Sequence, residues 1–386
     1  MRVLHGVHAW LKPTENWTYR LLKKTPVLET HVLAQEWAPG PFHDPAFHYH
    51  SWPVRRVLHG GLRSRLWNFA VRRTQGLQEA LVASELRGRV DLLHSHFSFM
   101  GWRMRTLARR LRVPHVVSFY GYDYENLPFH EPVWKERYAT LFQEVDLFLC
   151  EGKHGVEILV GQGCPREKIA VARLGVDTDD IPFAPARSRA GRRFEFLQIA
   201  TLTAKKGHAD ALAAIAIAAR EVDIGYTIIG READVKRESL VQLATSLGIQ
   251  DRVRFVDGID FARLHETLGA YDAFLHPSRY SEDRDCEGGA PIVLLDAQAC
   301  GLPVVATTHC DIPEEVVDGV TGFLSPEQSP EALAQNIVRM VTLSGDAFDA
   351  MRIAARSHVR NQYASDTCGK TLERLYASVL DSRKPK

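Results

Sequence analysis

Short apolar, β-branched runs alternate with helix-length segments along most of this chain, and they do so in two successive series. In the first series Arg2–Val7, Pro26–Leu33, Val90–His94, His115–Phe119, Val145–Cys150 and Lys168–Arg173 read as strands. Helical patterns fall between several of them, at Leu62–Leu86, Gly101–Leu111 and Lys153–Gly161. Strand–helix alternation of this length builds βαβ units and hence a parallel sheet. Near-continuous apolar strands, such as the one containing Leu147-Phe148-Leu149-Cys150, suit a sheet covered on both faces. A stretch from Pro182 to Arg193, with two prolines and four arginines, reads as a linker. The second series then places strands at Phe194–Ala200, Gly225–Gly230, Val253–Val256, Ala273–His276 and Val304–Thr307, and helices at Gly207–Arg220, Arg237–Leu247 and Ile292–Ala299. The expected fold class is therefore α/β, with two doubly wound, Rossmann-like domains: residues 1–185 and 186–365, followed by a helical tail at 366–386. Open sheets of this kind bind ligands at the carboxyl ends of their strands, so the natural site lies where the two domains face each other.

Composition narrows the function. The 386 residues carry 48 Lys+Arg against 47 Asp+Glu, which argues against a uniformly basic nucleic-acid binder. That balance hides a contrast. Residues 1–190 hold 26 basic and 19 acidic side chains, a net of +7, and the remainder holds 48−26 = 22 and 47−19 = 28, a net of −6. The two halves are thus expected to face different partners. The six cysteines contain no CxxC pair and read as reduced thiols, and the start of the chain lacks the long apolar core of a signal peptide. A cytoplasmic location is expected. The basic helix from Trp102 to Arg112, with Arg55, Arg56, Arg63, Arg65, Arg72 and Arg73 upstream, has two readings: a solvated helix face, or attraction to anionic lipid that would hold the protein peripherally on a membrane.

The segment richest in chemistry runs from Leu275 to Leu324. Ser278 follows a strand end, an acidic loop comes next, and Glu287-Gly288-Gly289-Ala290-Pro291 opens a helix beginning near Ile292. Glycines let a backbone approach a ligand closely, proline is favoured in a first helical turn, and the free N–H groups there attract an anion such as a diphosphate. Asp296, further along the helix, is placed to accept hydrogen bonds from sugar hydroxyls. The plainer reading of the segment is a capped helix beside a buried strand. Lys206 likewise is either a solvated helix residue or, following a strand end, a phosphate contact. Asp283 and Asp285 form a D-x-D, but a metal there is not expected, and His94 and His96 lack an evident third ligand for zinc. No G-x-G-x-x-G follows the first strand, and neither G-x-x-x-x-G-K-[ST] nor G-x-S-x-G occurs, which weakens dehydrogenase, P-loop and serine-hydrolase readings.

Glu287 followed by Ala297, Gly301, Pro303, Val304, Val305, Ala306 and Thr307 resembles the donor-binding motif of glycosyltransferase family 4, E-x7-E followed by A-x-x-x-G-x-P-V-V-A-T. Further segments resemble the same family in the same order. These include Ala204-Lys205-Lys206-Gly207-His208, Ile312-Pro313-Glu314 with Asp318-Gly319, Gly163-Cys164-Pro165, and Gly175-Val176-Asp177. His94-Ser95-His96-Phe97, Phe119-Tyr120-Gly121-Tyr122-Asp123 and Thr14-Glu15 resemble "HAHF", "FHGYD" and "SETF" of its polysaccharide-assembly branch. Three departures stand out. The second acid is Asp296, nine positions after Glu287 rather than eight; the family's Arg five positions before Lys206 is Thr201; and the His of "FHGYD" is Tyr120.

The resemblance implies a GT-B fold and retaining transfer from a nucleotide-diphosphate sugar, with no metal or other cofactor. Lys206, Glu287 and Tyr120 would act at the reacting centre. The donor would meet Thr201, Lys205, Arg231, Ser278, Gly288, Gly289, Ala290, Pro291, Ile292 and Asp296. Arg231 is either a replacement for the missing Arg or an exposed loop residue. The acceptor, a glycan, a lipid-linked sugar or a small molecule, would lie against His8, Glu15, His96 and Asp123, and the last helix would cross back to the first domain. Two other functions fit the same pattern, a sugar-nucleotide epimerase of the same shape and a catalytically weak nucleotide-sugar binder.

Overall fold

A computed structural model describes residues 1–10, 17–38, 42–53, 74–188 and 191–383. The chain divides into two compact units, one of Met1–Arg173 with Cys368–Lys386 and the other of Leu174–Thr367.

The first unit is a parallel sheet in the order β3-β2-β1-β4-β5-β6-β7. Its strands are β1 (Arg2–Trp10), β2 (Glu29–Trp37), β3 (His48–Ser51), β4 (Leu92–His96), β5 (His115–Ser118), β6 (Leu147–Cys150) and β7 (Ile169–Val171). The helices are α1 (Trp17–Lys23), α2 (Gln75–Leu86), α3 (Ser98–Leu111), α4 (Leu127–His130), α5 (Val133–Glu144) and α6 (Lys153–Gly161). Of the helix expected over Leu62–Leu86, residues 62–73 lie outside the described residues, and α2 covers Gln75–Leu86. One face of the sheet packs Leu4, Leu33 and Leu93 against Val82 and Leu86 of α2 and Met104 and Leu107 of α3. Further along the same face, Phe119, Tyr138, Phe142 and Phe148 gather.

The second unit repeats the plan in the order β10-β9-β8-β11-β12-β13. Here β8 is Phe194–Ile199, β9 Ile224–Ile229, β10 Val253–Val256, β11 Ala273–His276, β12 Val304–Thr307 and β13 Gly322–Ser325. The helices are α7 (His208–Ala218), α8 (Arg237–Ser246), α9 (Leu264–Leu268), α10 (Ile292–Ala299), α11 (Ile312–Glu315), α12 (Pro330–Thr342), α13 (Gly345–Gln362) and α14 (Ser365–Ser382), whose residues from Cys368 belong to the first unit. Alternation along β8 sends Phe196 and Leu197 to opposite faces and into two separate cores, so both faces of the sheet are covered.

Two readings of the chain change. The stretch from Pro182 is no free linker, because the first unit already closes at Arg173. Arg352 of α13 donates to Ala184 O and to Gly301 O, and Arg356 donates to Ile181 O and Thr178 O, which fastens the stretch to the second unit. The edge strands β3 and β13, too short and too polar or glycine-containing to stand out, are additional to the expected set. The last helix docks closely on the first unit: a Cβ on Gly369 would stand 2.2 Å from Lys24 O, and Arg383 Nη2 pairs with Asp146 Oδ1 at 2.7 Å.

Both sheets reverse their strand order between two central strands, β1 and β4 in one and β8 and β11 in the other. The crevice outside the carboxyl ends of such a pair is where doubly wound sheets bind ligands.

Candidate functional site

At the β8/β11 switch point of the second unit, Lys206 follows β8 through a short 3-10 turn at Ala204–Lys206. Gly207 ends that turn with φ +64, and a Cβ there would stand 1.8 Å from Pro277 O, so only glycine brings the two loops this close. Gln198 Nε2 donates to Lys206 O at 2.8 Å and fixes the turn from below. The Lys206 ammonium then meets Glu287 Oε2 at 2.7 Å, and Ser278 Oγ donates to Glu287 Oε1 at 2.7 Å. Lys205 lies beside this pair, 3.0 Å from Asp285 Oδ2 and 2.9 Å from Cys286 O. Burial by itself would raise the Glu287 carboxyl; the Lys206 ammonium foremost holds it well below the usual range. Glu287 is therefore ionised beside the two lysines.

Two residues that the sequence did not single out shape this loop. Glu287 N donates to His309 Nε2 at 3.1 Å, so the His309 proton sits on Nδ1, which faces Glu327 Oε1 at 2.7 Å. The other Glu327 oxygen accepts from Tyr280 N at 2.9 Å, and Asp311 N donates to Gly289 O at 3.0 Å. His309 lies two residues past the end of β12 and Glu327 two past the end of β13, and no spacing ties them to Glu287 in the sequence.

The remaining donor-side residues are dispersed around this centre. Gly288 takes φ +81, and α10 begins at Ile292 after Pro291, one turn beyond the glycines. Asp296 is 2 % exposed on α10 and its Oδ1 lies 2.9 Å from His265 Nε2, so an imidazole already occupies part of the carboxylate assigned to sugar hydroxyls. Thr201 lies in the loop after β8, and Arg231, exposed after β9, leans along Gly258. Asp285 is committed to Lys205, and Asp283 accepts from Ser281 Oγ, which leaves the D-x-D engaged within the protein.

The switch point of the first unit is of another kind. His5 on β1 lies level with His94 on β4. His5 Nδ1 and His96 Nε2 are 3.1 Å apart, His96 Nδ1 and Tyr120 Oη 2.9 Å, and His94 bonds Ser118 Oγ at 2.7 Å and Tyr376 Oη of α14 at 2.6 Å. Burial pushes His96 down to about 3 and the Tyr120 phenol well up, so both are neutral. Asp123 is fully enclosed. Its Oδ1 accepts from Ser98 N and Ser98 Oγ, and its Oδ2 from Tyr120 N at 3.1 Å. It therefore positions Tyr120 and the start of α3 and does not itself face an acceptor; burial raises its carboxyl to about 7. His8, on the same strand as His5, lies 3.6 Å from Glu36 Oε1. Glu15 lies outside the described residues, as do Arg55, Arg56, Arg63, Arg65, Arg72 and Arg73.

The basic helix buries its apolar side in the first unit. Met100, Met104, Leu107 and Leu111 of α3 are core, Arg105 stacks over Trp102 at 3.6 Å, and Arg105 and Arg109 approach Glu144. Among the described residues no helix is long and apolar enough to cross a membrane.

With this geometry in place, comparison with known proteins gives the class. Residues 3–180 match the family described as Glycosyltransferase Family 4, and residues 181–358 match Glycosyl transferases group 1. The amylovoran biosynthesis glycosyltransferase AmsK of Erwinia amylovora is 30% identical over 326 residues, covering 82% of this chain and 78% of the relative. A GDP-mannose-dependent mannosyltransferase of Mycobacterium tuberculosis that acts on a phosphatidylinositol monomannoside is 30% identical, covering 73% of this chain and 68% of its own. Among solved structures, HepE of Anabaena in complex with UDP and glucose superposes with a TM-score of 0.75 at 18% identity, covering 98% of this chain and 100% of that one, and so shares the GT-B fold. The chain belongs to glycosyltransferase family 4 and is a glycosyltransferase of the GT-B fold.

Proposed function

We propose that the protein transfers a sugar, with retention of anomeric configuration, from a nucleotide-diphosphate sugar held by the second unit to a hydroxyl of a growing glycan or lipid-linked glycan. The observation that carries this reading is the Lys206–Glu287–Ser278 cluster at the β8/β11 switch point, backed by Lys205. An ammonium has three donors, so Lys206 keeps its bond to Glu287 while offering others to a diphosphate. When the glycosidic C–O bond breaks, its electron pair goes to the diphosphate, and a positioned cation offsets that charge where it develops. Lys205 and the main-chain N–H groups of Gly288 and Gly289 would bind the same anion, while Glu287, ionised and held on both oxygens, would orient the sugar. The reading includes no metal, since the D-x-D carboxylates are engaged with Lys205 and Ser281. The names of the relatives support glycan assembly as the setting, and HepE with UDP and glucose supports a nucleotide sugar as donor.

A thermal-shift panel of uridine- and guanosine-diphosphate sugars tests the donor. A true donor at a hundred times its dissociation constant stabilises the folded chain by about 2.7 kcal/mol. Transfer to a glycan acceptor should then fall by about a hundredfold or more in Glu287→Ala and Lys206→Ala. Epimerised donor formed without acceptor would instead identify an isomerase, and binding without any turnover a silent binder.

A further inference from the structure

Away from both switch points, the edge of the first sheet carries a line of imidazoles and carboxylates. Glu29 and His31 share one face of β2, and His48 and His50 share that face of β3, with His31 level with His48. Leu33, two residues past His31, packs under α2 on this face, and α2 also sends Glu85 toward it. Glu85 Oε1 lies 2.9 Å from His50 Nδ1, His50 Nε2 lies 3.0 Å from His31 Nδ1, and His31 Nε2 lies 3.0 Å from Glu29 Oε1. His48 Nε2 is 3.6 Å from the same Glu29 oxygen.

Along this line Glu85 Oε1 meets His50, His50 meets His31, and His31 Nε2 and His48 Nε2 both converge on one oxygen of Glu29. Three ligand atoms gathered at one point are the geometry of a cation site. One extra proton, on His50 beside Glu85, is the alternative that would hold the same line together. A tetrahedral ion with ligand bonds of about 2.0–2.1 Å sets its ligands about 3.3 Å apart. The two measured separations, 3.0 and 3.6 Å, straddle that value, and all three ligand atoms lie within 4.8 Å of one another.

We propose that Glu29, His31 and His48 bind one divalent transition-metal ion of the zinc class, with His50 and Glu85 orienting His31 from behind. Two imidazoles and a carboxylate suit zinc, cobalt or nickel, whereas magnesium and calcium prefer all-oxygen sites. The relay from Glu85 through His50 to His31 is the kind of outer shell that fixes a metal-binding tautomer. Glu29 and His48 side chains are 49% and 55% exposed, so water completes the coordination. The ligands begin β2 and β3, at the opposite end of the sheet from the carboxyl ends, so the ion clamps a four-residue edge strand and takes no part in transfer. The trio His5, His94 and His96 makes a useful contrast. Both nitrogens of His94 are already bonded to hydroxyls and His96 bonds His5 and Tyr120, so neutral tautomers satisfy those contacts without a cation.

The test uses the full chain without a polyhistidine tag, stripped by a chelator and titrated with zinc against a chromogenic competitor. One ion should bind per chain, and His48→Ala and Glu29→Gln, both at exposed side chains, should weaken binding at least tenfold while keeping the circular dichroism of the parent. Cobalt should give a visible ligand-field band that His48→Ala abolishes, and zinc should raise the melting temperature of the parent only. No binding at micromolar zinc would leave an extra proton as the answer and overturn the proposal. So would unchanged binding in His48→Ala, including the case where binding is lost instead in His94→Gln.

Discussion

The two switch points are built from the same topology and hold opposite chemistry. Outside β8 and β11 the second unit gathers ions: Lys206 on Glu287, Lys205 on Asp285. At β1 and β4 the first unit gathers His5, His94, His96 and Tyr120, all buried and all neutral. The difference lies in what surrounds each polar group. A carboxylate within 2.7 Å of an ammonium keeps its charge even when little exposed, whereas imidazoles surrounded by one another and by hydroxyls are stripped of theirs by desolvation. One switch point thus holds paired charges and the other a neutral hydrogen-bonded network.

The sharpest way to break this comparison is to exchange the expected losses. Lys206→Ala should lower the transfer rate by about a hundred- to a thousandfold, the range for removing one group that stabilises developing charge. It should also destabilise the second unit by roughly 3 kcal/mol, because a buried Glu287 loses its ammonium partner and keeps only its weaker contacts, such as Ser278. Tyr120→Phe, which removes only a phenol hydroxyl bonded to His96, should cost less than tenfold. Equal losses in the two variants would mean that the first crevice also handles charge.

Acid provides the next test, and the seven tryptophans make it specific, since all of them precede Arg173 and report the first unit alone. Burial lowers His96 and His115 to about 3, against 6.5 ordinarily. Between those values the unfolded chain binds protons that the folded chain does not, so stability is full above pH 6.5 and falls as the pH drops toward 3. The urea midpoint followed by tryptophan fluorescence should fall from pH 7 to pH 4.5 by the equivalent of about 2–5 kcal/mol. A flat midpoint would contradict the neutral network.

Asp123 acts in the reverse sense. Its carboxyl is raised to about 7 against 3.8, so its contribution is full below 3.8 and is lost as the pH rises through 7. Asp123→Asn should remove that loss between pH 3.8 and 7 yet lower stability by about 1–3 kcal/mol at pH 7, because one of its acceptor oxygens becomes a donor facing Ser98 or Tyr120 N–H. The same fluorescence measurement reads it. The smallest effect belongs to Arg231→Ala, expected to weaken donor binding by no more than about tenfold, or 1.4 kcal/mol, in a direct titration. Unchanged affinity would make Arg231 a bystander.

Local pattern carried most of the architecture. Ile292–Ala299, Lys153–Gly161, Val253–Val256, Ala273–His276 and Val304–Thr307 are elements with the bounds their periodicity predicts. Lys206 and Glu287 were each legible as part of a motif with its own local signal, but the pairing of two residues 81 apart was not. What escaped the sequence was every partnership without such a signal. His309 and Glu327 under the Glu287 loop, His265 on Asp296, and Arg352 and Arg356 pinning the proline-rich stretch sit in segments where nothing local marks a polar role.

The sequence by itself determined two parallel-sheet domains, their covered faces and the glycine-bearing loop at Glu287, because strand and helix periodicity and backbone freedom are properties of neighbouring residues. Only the tertiary structure decided which imidazoles meet. His5 lies 91 residues from His96, and His94 lies 282 residues from Tyr376. Whether such groups are charged, neutral or bound to a metal depends on burial and on the donors and acceptors that folding brings beside them, and a one-dimensional pattern holds neither.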